Sequence, residues 1–294
     1  MKRDTPHGNS ATAMKLMGIG RRSVSVLVAV IGLCVAASAA GQYQDTLSDG
    51  QINTGSASVF TLLTSSSDWI RGGSVLQGDI GIDQGKFTLS GESDVFGDLV
   101  YHTGVVIKTS GGTVHGRTYS DDPLIDSALM DAQMLSDAAF AEPVTPRYTT
   151  LTSVNLDHSS LTITGGANEK VVLRLTDFVL TNNSILTLSG TATTSFIFNV
   201  TETFSLRSNS HINLLNVPAS NVLFNILGTG SQVLLRGGST MSGTLLALNR
   251  NVRIRGHRHR HGWQDSGSQV FGTVIANEVT ISNRSSVLTP TRNP

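Results

Sequence analysis

Three charged side chains recur at one spacing in the first half of the chain. Asp79, Asp98 and Arg117 each follow a glycine, and Gly78, Gly97 and Gly116 are separated by 19 residues each time. On successive turns of a repetitive fold, Asp98 would lie one rung from both neighbours. A carboxylate pair about 5 Å apart is the spacing of a retaining glycosidase. The competing reading is a charge ladder in which Arg117 offsets Asp98 and all three cap glycine corners. No aromatic sugar platform or third carboxylate accompanies them, so the ladder is preferred.

A second constellation alternates histidine with arginine in His257-Arg258-His259-Arg260-His261. On a strand, alternate residues share a face, which would align the three imidazoles. Neutral imidazoles can hold a divalent metal, but interleaved arginines repel a cation. With Arg250, Arg253 and Arg255 close by, binding of an anionic polymer is the better functional reading, carried by Arg253, Arg255, His257, Arg258, His259, Arg260 and His261. The bland alternative is a solvated insertion loop. Short hydroxyl residues alternate elsewhere: Thr88 and Ser90, Thr162 and Thr164, Thr187 and Ser189. Stacked, they would give a flat methyl-and-hydroxyl surface, although threonine is also simply a good strand residue. No Gly-x-Ser-x-Gly elbow and no phosphate-cradling glycine loop are present. Arg71-Gly72-Gly73 and Ser110-Gly111-Gly112 do not open helices and read as corners. The expectation is a protein with no catalytic residues, no cofactor and no metal.

The elements that must position these groups are short apolar runs punctuated by Gly, Asn and Ser from about Gly55 onward. Val95-Phe96-Gly97 repeats at the 19-residue spacing, whereas Phe198 and Phe224 are 26 residues apart, as are Asn183-Ser184 and Asn209-Ser210. Gly243 and Gly272 are 29 apart, ten more than the shorter period, and the surplus coincides with Gly256–Trp263. Such periods suit the coils of a β-solenoid, with equivalent residues about 4.8 Å apart in parallel ladders. Phe196, Phe198 and Val200 should point inward, and Ile197 and Asn199 outward; an ordinary β-sandwich is the alternative. One segment breaks the pattern: an Asp121 cap and Pro123 open a helix over 121–141, with Ile125, Ala128, Leu129, Ala132, Leu135 and Ala139 on one face. A single apolar stripe places it along the flank of the solenoid.

The chain of 294 residues is 39% hydrophobic and 14% charged, against about 25% charged in an average domain. Lys+Arg and Asp+Glu are 21 each, which argues against a globally basic nucleic-acid binder. The basic residues at Lys15, Arg21 and Arg22, the apolar run Ser23–Ala40 and small residues near its end read as a secretory signal peptide over 1–40, or 14–40 from Met14. Cleavage is expected near Ala39 or Ala40. The lone Cys34 falls inside it, so the mature chain has no thiol, and 16 basic and 20 acidic side chains remain. Segments 41–54 and 290–294 read as tails around one solenoid domain over 55–289. No second apolar span of membrane-crossing length follows.

Together, Gly78-Asp79-Ile80-Gly81, the Asp-Pro-capped helix, Leu186-Thr187-Leu188-Ser189-Gly190, Phe196–Val200, Asn221–Asn225, Gly243–Ala247 and Gly272–Ala276 resemble a group of secreted bacterial β-solenoid exoproteins of the choice-of-anchor A type. They resemble, more distantly, the ice-binding-like β-solenoid family. The resemblance spans about Val59 to Leu288 and implies an all-β, right-handed parallel β-helix with one α-helix docked along its side. For the ice-binding branch it also implies a flat Thr-rich face that engages ice. These motifs are core strands and corners, so they specify fold better than activity. The function expected from the sequence is a secreted, non-enzymatic binding, adhesion or matrix module whose partner is an extracellular polymer or cell surface. Ice binding through the Thr/Ser face is the alternative, and a polysaccharide-active enzyme comes third.

Overall fold

The computed structural model describes residues 52–257 and 267–289. The leader and the stretch from Arg258 to Ser266 lie outside the described residues, and with them Arg258, His259, Arg260 and His261.

The first block of the chain winds three short strands per coil. These are β1 (Phe60–Thr64), β2 (Asp68–Arg71) and β3 (Val75–Gln77), then β4 (Asp79–Ile82), β5 (Lys86–Ser90) and β6 (Asp94–Phe96). Next come β7 (Leu99–Tyr101), β8 (Val106–Ser110), β9 (Thr113–Val114) and a closing β10 (Thr118–Ser120). Helix α1 (Asp122–Ala141) follows. The second block holds β11 (Ser153–Asp157), β12 (Ser160–Thr164), β13 (Lys170–Thr181), β14 (Ile185–Ser189), β15 (Ser195–Arg207) and β16 (His211–Leu215). It continues through β17 (Val222–Ile226), β18 (Val233–Arg236), β19 (Thr240–Ser242), β20 (Thr244–Arg255), β21 (Gln269–Phe271), β22 (Val274–Ser282) and β23 (Ser286–Leu288). Every described pairing between strands is parallel, so the solenoid expectation holds and the sandwich does not.

Coils stack in sequence order only within each block. The order along the first face is β10-β7-β4-β1-β22-β20-β17-β15-β13-β11. The chain therefore starts mid-stack, winds to one end, crosses along α1 to the other end, and winds back until β22 pairs with β1. The join is in regular register, Leu62 to Val274 and Leu63 to Ile275.

Three faces result. The first lies under α1, whose Ile125, Ala128, Ala132, Leu135 and Ala139 pack on Leu63, Val100, Val172, Ile197, Leu223, Leu246 and Ile275. Asp121 caps the helix by accepting from the Leu124 N–H, as the Asp-Pro pattern predicts. Ile197 and Asn199 do point out of the solenoid, yet both are fully buried because the helix covers them. Asn199 donates to the Ala139 carbonyl at 2.7 Å, and Asn225 donates to the Asn199 side chain at 2.8 Å and to the Ser136 carbonyl at 3.0 Å. The interior is a continuous aliphatic column with a stack of Phe198 on Phe224, ring centroids 4.9 Å apart, at the 26-residue repeat.

The glycine repeat has a reason beyond backbone angles. Gly97 and Gly116 do not have positive φ; a Cβ on Gly97 would sit 2.1 Å from the Gly78 carbonyl oxygen, and one on Gly116 would sit 2.2 Å from that of Gly97. Each glycine thus admits the preceding coil. Gly97→Ala is expected to push two coils apart and to cost roughly 3 kcal/mol or more in urea unfolding. A cost below about 0.5 kcal/mol, the ordinary value for a surface change, would contradict the close approach.

Candidate functional site

Two faces of the solenoid are not covered by the helix, and their chemistry differs. The nine-stranded face runs β12-β14-β16-β19-β21-β23-β3-β6-β9, all parallel, with the ladder narrowing to the single pair His211–Thr240 between β16 and β19. From β12 to β3 its strands contain no Asp, Glu, Lys or Arg. Leu186, Ile212, Met241, Val270, Val287 and Leu76 alternate inward. The outward rows hold Thr162, Thr187 and Asn213 in one column and Thr164, Ser189 and Leu215 in the next. Farther along, His211, Thr240 and Gln269 share a row with the His211 ring nitrogen 2.8 Å from the Thr240 hydroxyl. Apolar groups interrupt the hydroxyls, notably Leu215, 52% exposed, and Phe96, 49% exposed. Of the six hydroxyl residues singled out by sequence, Thr162, Thr164, Thr187 and Ser189 come together here on adjacent rungs.

Thr88 and Ser90 do not join them. They lie on the other uncovered face, next to Trp69 and Arg71 of the neighbouring coil. That face carries a column of arginines. In register across neighbouring strands are Arg71 (β2), Ser282 (β22), Arg255 (β20), Arg236 (β18) and Arg207 (β15). Arg253 stands in the adjacent column, across Thr280 from Trp69. Arg253 and Arg255 from the predicted basic group are therefore here, with exposed His257 just beyond the corner.

Arg250 is not. Sequence proximity assigned it to the basic cluster, but it shares the inward phase of the buried Val252 and Ile254, opposite to Arg253 and Arg255. It is 2% exposed, and its guanidinium donates to the carbonyls of Thr201, Glu202, Leu227, Gly228 and Ser231.

The arginine column carried a sequence signal that went unread. Each of its arginines is followed by a corner and a buried serine: Arg71-Gly-Gly-Ser74, Arg207-Ser-Asn-Ser210 and Arg236-Gly-Gly-Ser239. The serine hydroxyl donates back to the arginine carbonyl at 2.8, 2.6 and 2.9 Å. The ten surplus residues fall inside the fourth copy, because Ser268 still donates to the Arg255 carbonyl at 3.0 Å. Left-handed corner backbone explains the residue choice: Gly72, Gly237, Ser208 and Asn209 all have positive φ.

Asp79, Asp98 and Arg117 do stack on successive coils. Asp79 accepts from the Asp98 N–H at 2.7 Å, and Asp98 accepts from the Arg117 N–H at 2.7 Å and from its guanidinium at 2.5 Å. Hydrogen bonds from Arg117 hold the Asp98 carboxyl below the usual carboxylate range, the opposite of what a general acid needs. These groups are corner caps. Sequence did not single out Asp83, His102 and Asp126, whose ligand atoms lie within 4.8 Å of one another where two corners meet the start of α1. A hydrogen bond with the Thr103 carbonyl raises the His102 pKa, helped by Asp122 and Asp126, and Asp83 and His102 are both partly buried.

The fold and these faces define a helix-flanked parallel β-solenoid with one neutral and one cationic free face. The chain belongs to the Ice-binding-like family, which it matches over residues 62–286. Of the two groups the sequence resembles, this is the one the match supports. An ice-binding protein with antifreeze activity from an Arctic yeast shares the fold with a TM-score of 0.55 at 18% identity, over 84% of this chain and 97% of that one. The ice-binding protein of the Antarctic ascomycete Antarctomyces psychrotrophicus gives 0.52 at 19% identity, over 82% and 99%. That of Shewanella frigidimarina gives 0.53 at 18% identity, over 82% and 98%. No curated protein sequence matches this chain. Among the described residues no helix is long and apolar enough to cross a membrane.

Proposed function

We propose that this protein is a secreted, non-catalytic ice-binding protein and that ice is engaged by the nine-stranded face. Family membership supports ice as the partner over the adhesion or matrix reading that the sequence first favours. The observation that carries the choice of face is the freedom from Asp, Glu, Lys and Arg over seven successive parallel strands, β12 to β3. A charged group keeps its own hydration shell, and stripping it against an ordered surface is costly. Hydroxyl, amide and methyl groups held on a rigid ladder about 4.8 Å per rung can instead make many weak contacts with little ordering entropy left to lose.

Thermal hysteresis of the purified secreted form tests both parts. Ser242→Tyr, which raises a bulky ring from the middle of the flat face, is expected to remove most of the hysteresis. Arg236→Tyr on the other free face should leave it intact. Absence of hysteresis and of recrystallisation inhibition in the parent would remove ice binding altogether. Hysteresis lost in Arg236→Tyr but kept in Ser242→Tyr would transfer the site to the arginine face.

A further inference from the structure

We infer that the arginine face is a second binding surface, built for an extended carboxylated polysaccharide. Arg207, Arg236 and Arg255 occupy three consecutive rungs, and Arg71 continues the column one rung beyond Ser282. Arg71, Arg236 and Arg255 are exposed. None of the four, nor Arg253, has a carboxylate within ion-pair distance among the described residues. Like charges stacked at about 4.8 Å oppose folding, so the column costs stability until an anion offsets it.

Two adjoining clefts of ≈ 290 and ≈ 320 Å³ share Arg71 and Arg253. Arg253 lines both, and its Nε, shut off from solvent, lacks a hydrogen-bond partner among the described residues. Half-buried Trp69 lines one cleft and offers an aromatic platform of the kind sugar rings stack on. Glu278 lines the same cleft as its one acidic group, with burial raising its pKa.

The geometry favours a polyuronate over other polyanions. A guanidinium takes a carboxylate in two parallel hydrogen bonds. A polyuronate carries one carboxylate per sugar ring, and those that return to the same side of the extended chain can meet arginines along the column. Duplex DNA, with a charge every ~1.7 Å along its axis, needs a broad basic surface, whereas this is a narrow column with Arg253 beside it, on a chain with more acidic than basic side chains beyond residue 40.

The test uses the full mature protein and three probes: polygalacturonate, its methyl ester, and double-stranded DNA, with binding followed by calorimetry at increasing salt. Polygalacturonate is expected to bind with an affinity that falls as salt rises, to raise the melting temperature, and to be displaced by neither other probe. Arg236→Ser and Arg255→Ser should each weaken it about tenfold, and Lys at both positions should restore part of the loss. Arg117→Ser, which removes an exposed cation far from the column, should change nothing, and the Arg236→Ser/Arg255→Ser pair should retain ice activity. The proposal is overturned by absence of polygalacturonate binding at low salt. It is equally overturned by an equal loss in Arg117→Ser, by binding of the methyl ester, or by tighter binding of DNA.

Discussion

Replacing Arg250 with alanine is expected to destabilise the protein by about 3–5 kcal/mol, the combined cost of several backbone acceptors losing a charged donor. The guanidinium is the hub for five backbone carbonyls, two from β15 and three from the β17–β18 connection of the next coil. Thr201 and Glu202 lie in β15 where its pairing with β13 shifts register, and Leu227, Gly228 and Ser231 lie in the connection between β17 and β18, so all of them lose a shared donor once the side chain is gone. A buried acceptor left without a donor costs about 1–3 kcal/mol, and some of these can recover water only if the connection opens. Arg250→Lys should recover a minor part, because an ammonium has three donors and cannot span the same fork. Urea unfolding of the two variants is the measurement; a loss below about 1 kcal/mol for the alanine variant would mean that the carbonyls find other partners.

Asp68→Asn is expected to act in the opposite direction, and in a pH-dependent way. The Asp68 side chain points into the solenoid between Phe87 and Val279, is 0% exposed, and accepts from the Thr64 hydroxyl at 2.9 Å and the Val279 N–H at 3.2 Å. Burial pushes its pKa up to about 8 from 3.8, and the two hydrogen bonds recover only part of that shift. Below pH 3.8 the carboxyl is protonated in both folded and unfolded chains and carries no penalty. Between 3.8 and about 8 the unfolded chain ionises while the folded one does not, so stability falls as pH rises. At 1.36 kcal/mol per unit the loss amounts to a few kcal/mol by pH 8. Asparagine is neutral throughout and keeps a donor and an acceptor for the same two partners. The variant should match its parent near pH 4 and exceed it by a few kcal/mol near pH 8. Parallel stability curves at the two pH values would show that Asp68 is not the titrating group.

Much of this fold is legible in the residues, and the illegible part has physical causes. Glycines 19 apart mark coils because each must admit the carbonyl of the one before, a constraint local to one corner. The Phe198–Phe224 stack and the Asp-capped helix are likewise visible, since each follows from a period or a cap. The stacking order is not. A parallel ladder between β1 and β22 uses the same apolar alternation as any other rung, so nothing local distinguishes a partner next in sequence from one some 210 residues away. The hydroxyl candidates divided for a similar reason: Thr88-Leu89-Ser90 and Thr187-Leu188-Ser189 have the same pattern, but the corners between strands send them to different faces. Arg250 falls outside the basic cluster because nearness in sequence ignores strand alternation: it is in phase with the buried Val252 and Ile254, not with Arg253 and Arg255. The arginine column was present in three copies of Arg-x-x-Ser, and hidden by the ten residues inserted in the fourth.

The meeting of β1 and β22 also decides what truncation would do. In a solenoid wound in sequence order, trimming the last coil shortens the stack and leaves as many open edges as before. Here the first and last coils are each other's neighbours in mid-stack, and the true ends are interior to the sequence, tied to each other by α1. Loss of the final coil would open a gap with two fresh rows of unpaired amides and carbonyls facing each other, ready to recruit strands from another chain. The seam therefore makes the molecule behave as a closed circuit, in which the integrity of the centre depends on two parts of the chain as far apart in sequence as Leu62 and Val274.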